Sequence, residues 1–166
     1  LKKQLNVISF EPSKVFYESV IEKVKLNEYT ANVIVENKAI GHKLEKNAKF
    51  NLNKIGANSH LAESKAPHLK NPENHVTTVE VTTVDHYCEQ NKIIPTLIKI
   101  DIEGGETNAL LGMKNVMKNF HPKLLISTHS KKLEKECRDI LFDADYSVKT
   151  LKGFEHELIC ISKKIN

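Results

Sequence analysis

Two carboxylates two residues apart, Asp101 and Glu103, close a short apolar run that begins at Leu97 and are followed by Gly104, Gly105 and Glu106. An ionised carboxylate can take a proton, accept hydrogen bonds from hydroxyl groups, or hold a hard cation. A spacing of two puts both side chains on one face of an extended chain. The apolar run ahead of them and the helical pattern behind them are what a buried parallel strand and its following helix produce. The carboxyl ends of such strands form the edge where α/β folds bind ligands. Carboxylates and glycines are also ordinary turn formers, so the same string reads as a solvated turn as well. Two other polar groups end apolar runs in the same way: Glu11 after Asn6–Phe10, and His129 after Lys123–Thr128.

The elements that must position these groups follow from periodicity. Asn6–Phe10 reads as a strand that stops at Glu11-Pro12, and Phe16, Val20 and Val24, with Tyr17 and Ile21 beside them, give one face of a helix over Ser13–Leu26. A second strand and its exit run from Asn32 to Ile40, ended by Gly41. From His42 to His75 the chain is rich in Lys, Asn, His and Pro, and it reads as a long excursion, insertion or lid in which only Lys49–Asn53 suggests a short strand. Its histidines lack metal-ligand spacing. The β-branched run Val76–Val84 predicts a strand, and Asp85 is placed to N-cap the helix after it. Ala109, Met113, Val116, Met117 and Phe120 predict one helix after Gly104. A strand at Lys123–His129 and a helix through Leu133, Cys137, Ile140 and Leu141 come next. Two β-prone runs around Gly153, Tyr146–Leu151 and Glu157–Ser162, read as antiparallel neighbours. Strands alternating with helices predict an α/β fold with a mostly parallel sheet.

Composition bounds the function. A chain of 166 residues with 40% apolar content supports one domain with a sizeable core. The formal charge of +4 is spread along the sequence without a basic block or interleaved aromatics, so no nucleic-acid partner is indicated. Cys88, Cys137 and Cys160 form no CxxC pair, which suits free thiols in a cytoplasmic, reducing setting. No apolar run is long enough to span a bilayer, so no membrane partner is expected.

Five pieces in order carry a resemblance to a known family: Ile8–Ser13, Ala39–Gly41, Val81–Tyr87, the string Ile98–Glu106 with Leu110-Leu111-Gly112, and Pro122–Ile126. The chain resembles the FkbM-type S-adenosylmethionine-dependent methyltransferases. The resemblance implies a Rossmann-like class I methyltransferase sheet, mostly parallel with a C-terminal antiparallel hairpin, and O-methylation of a hydroxyl on a sugar or other polar small molecule. It places Glu11 on the cofactor's ribose hydroxyls and Asn37, Lys38 and Ala39 beside its adenine. Asp101 then faces the methionine portion, and Asp101, Glu103 and His129 are the candidates for orienting the acceptor and taking its proton. The family carries a strand and Gly-rich loop before the position of Glu11, and only Leu1–Leu5 stands there. The chain is therefore expected to be N-terminally truncated, with an uncovered sheet edge through which it could associate. Two further readings stay open: a non-catalytic methyltransferase-like binding unit, and magnesium-dependent phosphoryl transfer through Asp101 and Glu103. No resident metal is implied by the first reading.

Overall fold

Parallel pairing starts the fold. In the computed structural model, which describes residues 5–52, 59–63 and 75–164, Asn6–Phe10 (β1) pairs in parallel with Asn32–Glu36 (β2), from Asn6 opposite Asn32 to Phe10 opposite Glu36. Lys14–Leu26 (α1) connects them. Its start is fixed by Glu11, whose Oε1 accepts the Ser13 N–H at 2.8 Å. The expected stripe of Phe16, Tyr17, Val20, Ile21 and Val24 is half-buried, and no residue of α1 is fully buried.

Described parts of the expected excursion belong to a small sheet. Ala39–Ile40 (β3), Glu45–Leu52 (β4), His60–Leu61 (β5) and His75–Thr82 (β6) pair in the order β3-β6-β4-β5. Its core is Ala39, Ala48, Phe50, Leu61, Val79 and Val81. The short strand suggested at Lys49–Asn53 is the second half of β4; its buried residues are Ala48 and Phe50, set among Lys and Asn, and the polar outer face conceals its beginning at Glu45. The parts of the excursion at 53–58 and 64–74 lie outside the described residues.

The remaining elements build the main core. Val84–Asn91 (α2) leads to Leu97–Ile100 (β7); Glu106–Leu111 (α3) and Lys114–Phe120 (α4) follow, then Lys123–Ser127 (β8), Lys131–Asp143 (α5), Tyr146–Thr150 (β9) and Glu157–Ser162 (β10). The sheet order is β7-β8-β10-β9, with β7 and β8 parallel and β10 antiparallel to both of its neighbours. Leu110, Met113, Leu124, Ile126, Cys137, Leu141, Leu158 and Cys160 fill the space between this sheet and its helices, each no more than 1% exposed. No helix among the described residues is long and apolar enough to cross a membrane.

Three expectations change. The sequence predicts one mostly parallel sheet, whereas the described strands form three, in which β1–β2, β3–β6 and β7–β8 are parallel and the other pairings antiparallel. The helix after Gly104 is two helices, broken at Gly112 and Met113, and a Cβ at residue 112 would run into the Gly41 carbonyl oxygen. Asp85 does not cap its own helix. Thr83 Oγ1 accepts the His86 N–H at 3.1 Å in that role, and the Asp85 carboxylate instead accepts the N–H groups of Asn115 and Val116 at 3.0 and 2.8 Å, capping the neighbouring helix α4.

Candidate active site

At the end of β7 the chain leaves a buried residue, Ile100, and turns through Asp101, Ile102, Glu103 and Gly104. Glu103 has φ +51° and Gly104 φ +90°. A non-glycine residue in the left-handed region costs about 1 kcal/mol or more, and such strain concentrates where a side chain must be aimed. At the end of the neighbouring strand β8, Ser127 and Thr128 are buried, His129 emerges, and Ser130 caps α5 by accepting the Leu133 N–H at 3.1 Å.

Those two strand ends bring three of the candidate residues together. One ligand atom from each of Asp101, Glu103 and His129 lies within 4.8 Å of the others. His129 Nε2 stands 3.6 Å from Asp101 Oδ1 and 3.5 Å from Glu103 Oε2. The other ring nitrogen, Nδ1, meets Glu106 Oε1 at 2.8 Å. Glu106 is wholly buried and also accepts the Gly104 N–H at 3.0 Å. The hydrogen bond to Glu106 raises the His129 pKa above its ordinary value; burial opposes this, and the charges of Glu106, Glu103 and Asp101 add to the rise. Lys99 Nζ lies 2.7 Å from Asp101 Oδ2, the other carboxylate oxygen from the one His129 faces.

The remaining candidates gather at the ends of β1 and β2. Asn37 Nδ2 donates to the carbonyl oxygens of Glu11 and Pro12 at 2.9 and 3.1 Å, so Asn37 and Glu11 are neighbours. Burial pushes the Glu11 carboxyl up, against the Ser13 N–H, which holds it down. Lys38 pairs with Glu80 at 2.9 Å. The Ala39 side chain packs inside the small sheet's core. Beside Lys38 a cleft of about 530 Å³ is lined by Glu36, Glu80, Thr82, His86 and Tyr87. There the Tyr87 hydroxyl donates to Glu36 Oε1 at 2.8 Å, and its pKa is pushed up to about 12 by burial first and by Glu36 second.

Glu36 and the particular role of Glu106 escaped the sequence. For Glu36 the sequence offers only a polar strand end. Glu106 did leave a signal: it shares helical spacing with Ala109, Leu110 and Met113, so a carboxylate falls on an apolar stripe, where burial requires a partner.

Residues 2–148 match the family described as the Methyltransferase FkbM domain. The chain is also similar to the crystal structure of Methyltransferase FkbM from Methylobacillus flagellatus KT, with a TM-score of 0.59 and 18% identity over 94% of this chain and 36% of that one. It therefore spans little more than a third of that solved chain, and a likeness at this identity speaks for the fold. No curated protein matches the chain.

Proposed function

The chain belongs to the FkbM methyltransferase family, and on that premise we propose that it is an S-adenosylmethionine-dependent methyltransferase unit whose acceptor is a hydroxyl on a sugar or other polar small molecule. The observation that carries this reading is the meeting of Asp101, Glu103 and His129 at the carboxyl ends of the adjacent parallel strands β7 and β8. The order β7-β8-β10-β9, with an antiparallel β10, supports a class I, Rossmann-like reading of this half.

Bound S-adenosylmethionine would supply an electrophilic methyl group. The protein's part in a direct displacement is to align the acceptor and receive its proton. Asp101, Glu103 and His129 are the groups for both tasks, with Glu106 fixing the imidazole's orientation through Nδ1. At the other strand ends Glu11 keeps one carboxylate oxygen on the Ser13 N–H, and the second would accept from a ribose hydroxyl. Asn37, Lys38 and Ala39 would border the adenine. The three buried free thiols suit a reducing, cytoplasmic setting.

A second reading is a methyltransferase-like unit that binds or assembles without turnover. The split between the β1–β2 pair and the β7-containing sheet favours it, because no described strand joins them and an open edge can recruit another strand. Calorimetric titration of S-adenosylmethionine into the chain tests the first reading. The expected result is saturable binding at one equivalent, weakened at least about tenfold by Glu11→Gln, the order of a lost charge-assisted hydrogen bond. No saturable binding, or binding indifferent to Glu11→Gln, overturns it.

A further inference from the structure

Beside the cluster, at the carboxyl edge of the β7-containing sheet, stands a turn that methyl transfer as derived above leaves unused. Contact between β8 and β10 runs past the end of β8: Ser127 Oγ donates to Glu157 Oε1 at 2.8 Å, and the Thr128 N–H and hydroxyl both donate to the His156 carbonyl, at 2.9 and 3.2 Å. His129 is the next residue on one side, and the β9–β10 turn at 151–156 lies on the other. Paired chains stand about 4.8 Å apart, so His129 and this turn leave the sheet side by side. The turn is also fixed from within. The Phe154 N–H donates to the Leu151 carbonyl at 3.0 Å, the Glu157 N–H to the Phe154 carbonyl at 3.3 Å, and Gly153 turns the chain at φ +88°.

Phe154 is 60% exposed in that turn, and among the described residues its ring meets no other ring and no cation. Tyr29, Phe120 and Phe142 are exposed too. Each of these leads into a strand, β2, β8 or β9, at its amino end, whereas the cluster stands at carboxyl ends, and Phe142 already lies 5.1 Å beneath the Lys163 ammonium. Because β10 is antiparallel to β8, its amino end meets the carboxyl end of β8, and Phe154 therefore shares the cluster's edge. An open aromatic face beside carboxylates suits a pyranose, which presents an apolar face of C–H groups and a rim of hydroxyls. Asp101, 44% exposed at its side chain, can accept from such hydroxyls. Lys152, Glu155 and His156 are exposed in the same turn and add a polar rim. We infer that the β9–β10 turn forms a pyranose subsite, in which Phe154 stacks on the C–H face of the sugar and one sugar hydroxyl faces Asp101, Glu103 and His129. That the sugar is the methyl acceptor rests on the methyl-transfer reading; that it binds here does not. Phe154 then sets acceptor specificity and takes no part in moving the proton.

Saturation-transfer magnetic resonance on the chain, with the methyl pyranosides of glucose, galactose, mannose and rhamnose as probes, reads this contact proton by proton. At least one glycoside should receive saturation, strongest on ring C–H protons of a single face. Phe154→Ala should weaken its affinity about five- to tenfold, Phe154→Leu nearly as much although it keeps apolar bulk, and Phe154→Tyr should retain it. An exposed side chain leaves the urea midpoint where it was. Should Phe154→Ala lower it, the contrast between Phe154→Leu and Phe154→Tyr decides. Phe142→Ala, at the other edge, should leave the transfer unchanged. No transfer to any of the glycosides, transfer unaltered in Phe154→Ala, or stronger transfer to phenol than to every glycoside overturns the inference. Titration with S-adenosylmethionine separates the two claims. Cofactor binding without Phe154-dependent glycoside binding refutes the subsite alone, and Phe154-dependent glycoside binding in a chain that takes no cofactor refutes the methyl-transfer reading alone.

Discussion

The unit β1–α1–β2 and the unit from β7 to β10 carry the same kind of sequence signal and reach different states of burial. Both consist of apolar strands joined by helices with a clear apolar stripe. In the first, no α1 residue is fully buried, and Val7 and Ile34 remain exposed. In the second, Leu110, Leu124, Ile126, Cys137, Leu141 and Cys160 are completely enclosed. The difference is one of neighbours. Two strands and one helix leave a sheet face and an outer edge open, whereas four strands with α3, α4 and α5 cover theirs. The cluster of Asp101, Glu103 and His129 stands on the well-packed unit, while Glu11 and Asn37 stand on the lightly packed one. On the proposed reading, the groups aimed at a reacting atom have rigid support, and those that would grip a cofactor do not.

The contrast can be broken most directly in the two cores. Leu124→Ala should cost about 2–5 kcal/mol, a cavity in fully enclosed packing, and Val20→Ala on half-buried α1 less than about 1.5 kcal/mol. Urea melts of both variants measure this, and equal losses would remove the distinction. Asp85→Ala comes next, because it frees two N–H groups at the start of α4; a loss of about 1–2 kcal/mol is expected by the same measurement. A pH dependence is also expected from the packed unit. Burial pushes the Cys137 and Cys160 thiols up to about 12, with Arg138 acting against burial at Cys160, whereas in the unfolded chain they ionise near about 8.5. The folded state then keeps protons that the unfolded state has released. Their contribution is fully present below about pH 8.5 and is lost as pH rises toward about 12. Urea midpoints compared between about pH 8 and about pH 10.5 should fall more in the native sequence than in the Cys137→Ala/Cys160→Ala double variant. Glu11→Gln should have the least effect on folding, within about 0.5 kcal/mol, since a glutamine oxygen still accepts the Ser13 N–H and burial disfavours the charge it replaces. On the proposed reading its effect falls on cofactor affinity.

What could be read from the sequence divides along the same physical line. Strand ends with polar groups were visible because burial makes apolar runs and solvent ends them, so Asp101, Glu103 and His129 were picked out and do meet. The helix stripes at Phe16–Val24 and Leu133–Leu141 were visible for the same reason. Period alone could not show that Gly112 divides a helix, since Ala109, Met113, Val116 and Met117 keep helical spacing across the break and are all buried. Nor could it show the Glu106 hydrogen bond to His129, which joins residues 23 positions apart. The second half of β4 was legible at Lys49–Asn53, and its first half was hidden by a polar outer face. Asp85 has the right residue type for a cap and caps another helix, a pairing across 30 residues that no local pattern specifies.

The break at Gly112 also bears on how this molecule can vary. Its carbonyl accepts the Asp85 N–H at 2.9 Å, and its missing side chain leaves room for the Gly41 carbonyl, while Gly41 N–H is held by Thr82 at 2.9 Å. The small sheet is thus joined at its root, where two bare backbones touch, to the helices behind the candidate cluster. A single methyl group at residue 112 would break that contact, so this junction is closed to variation.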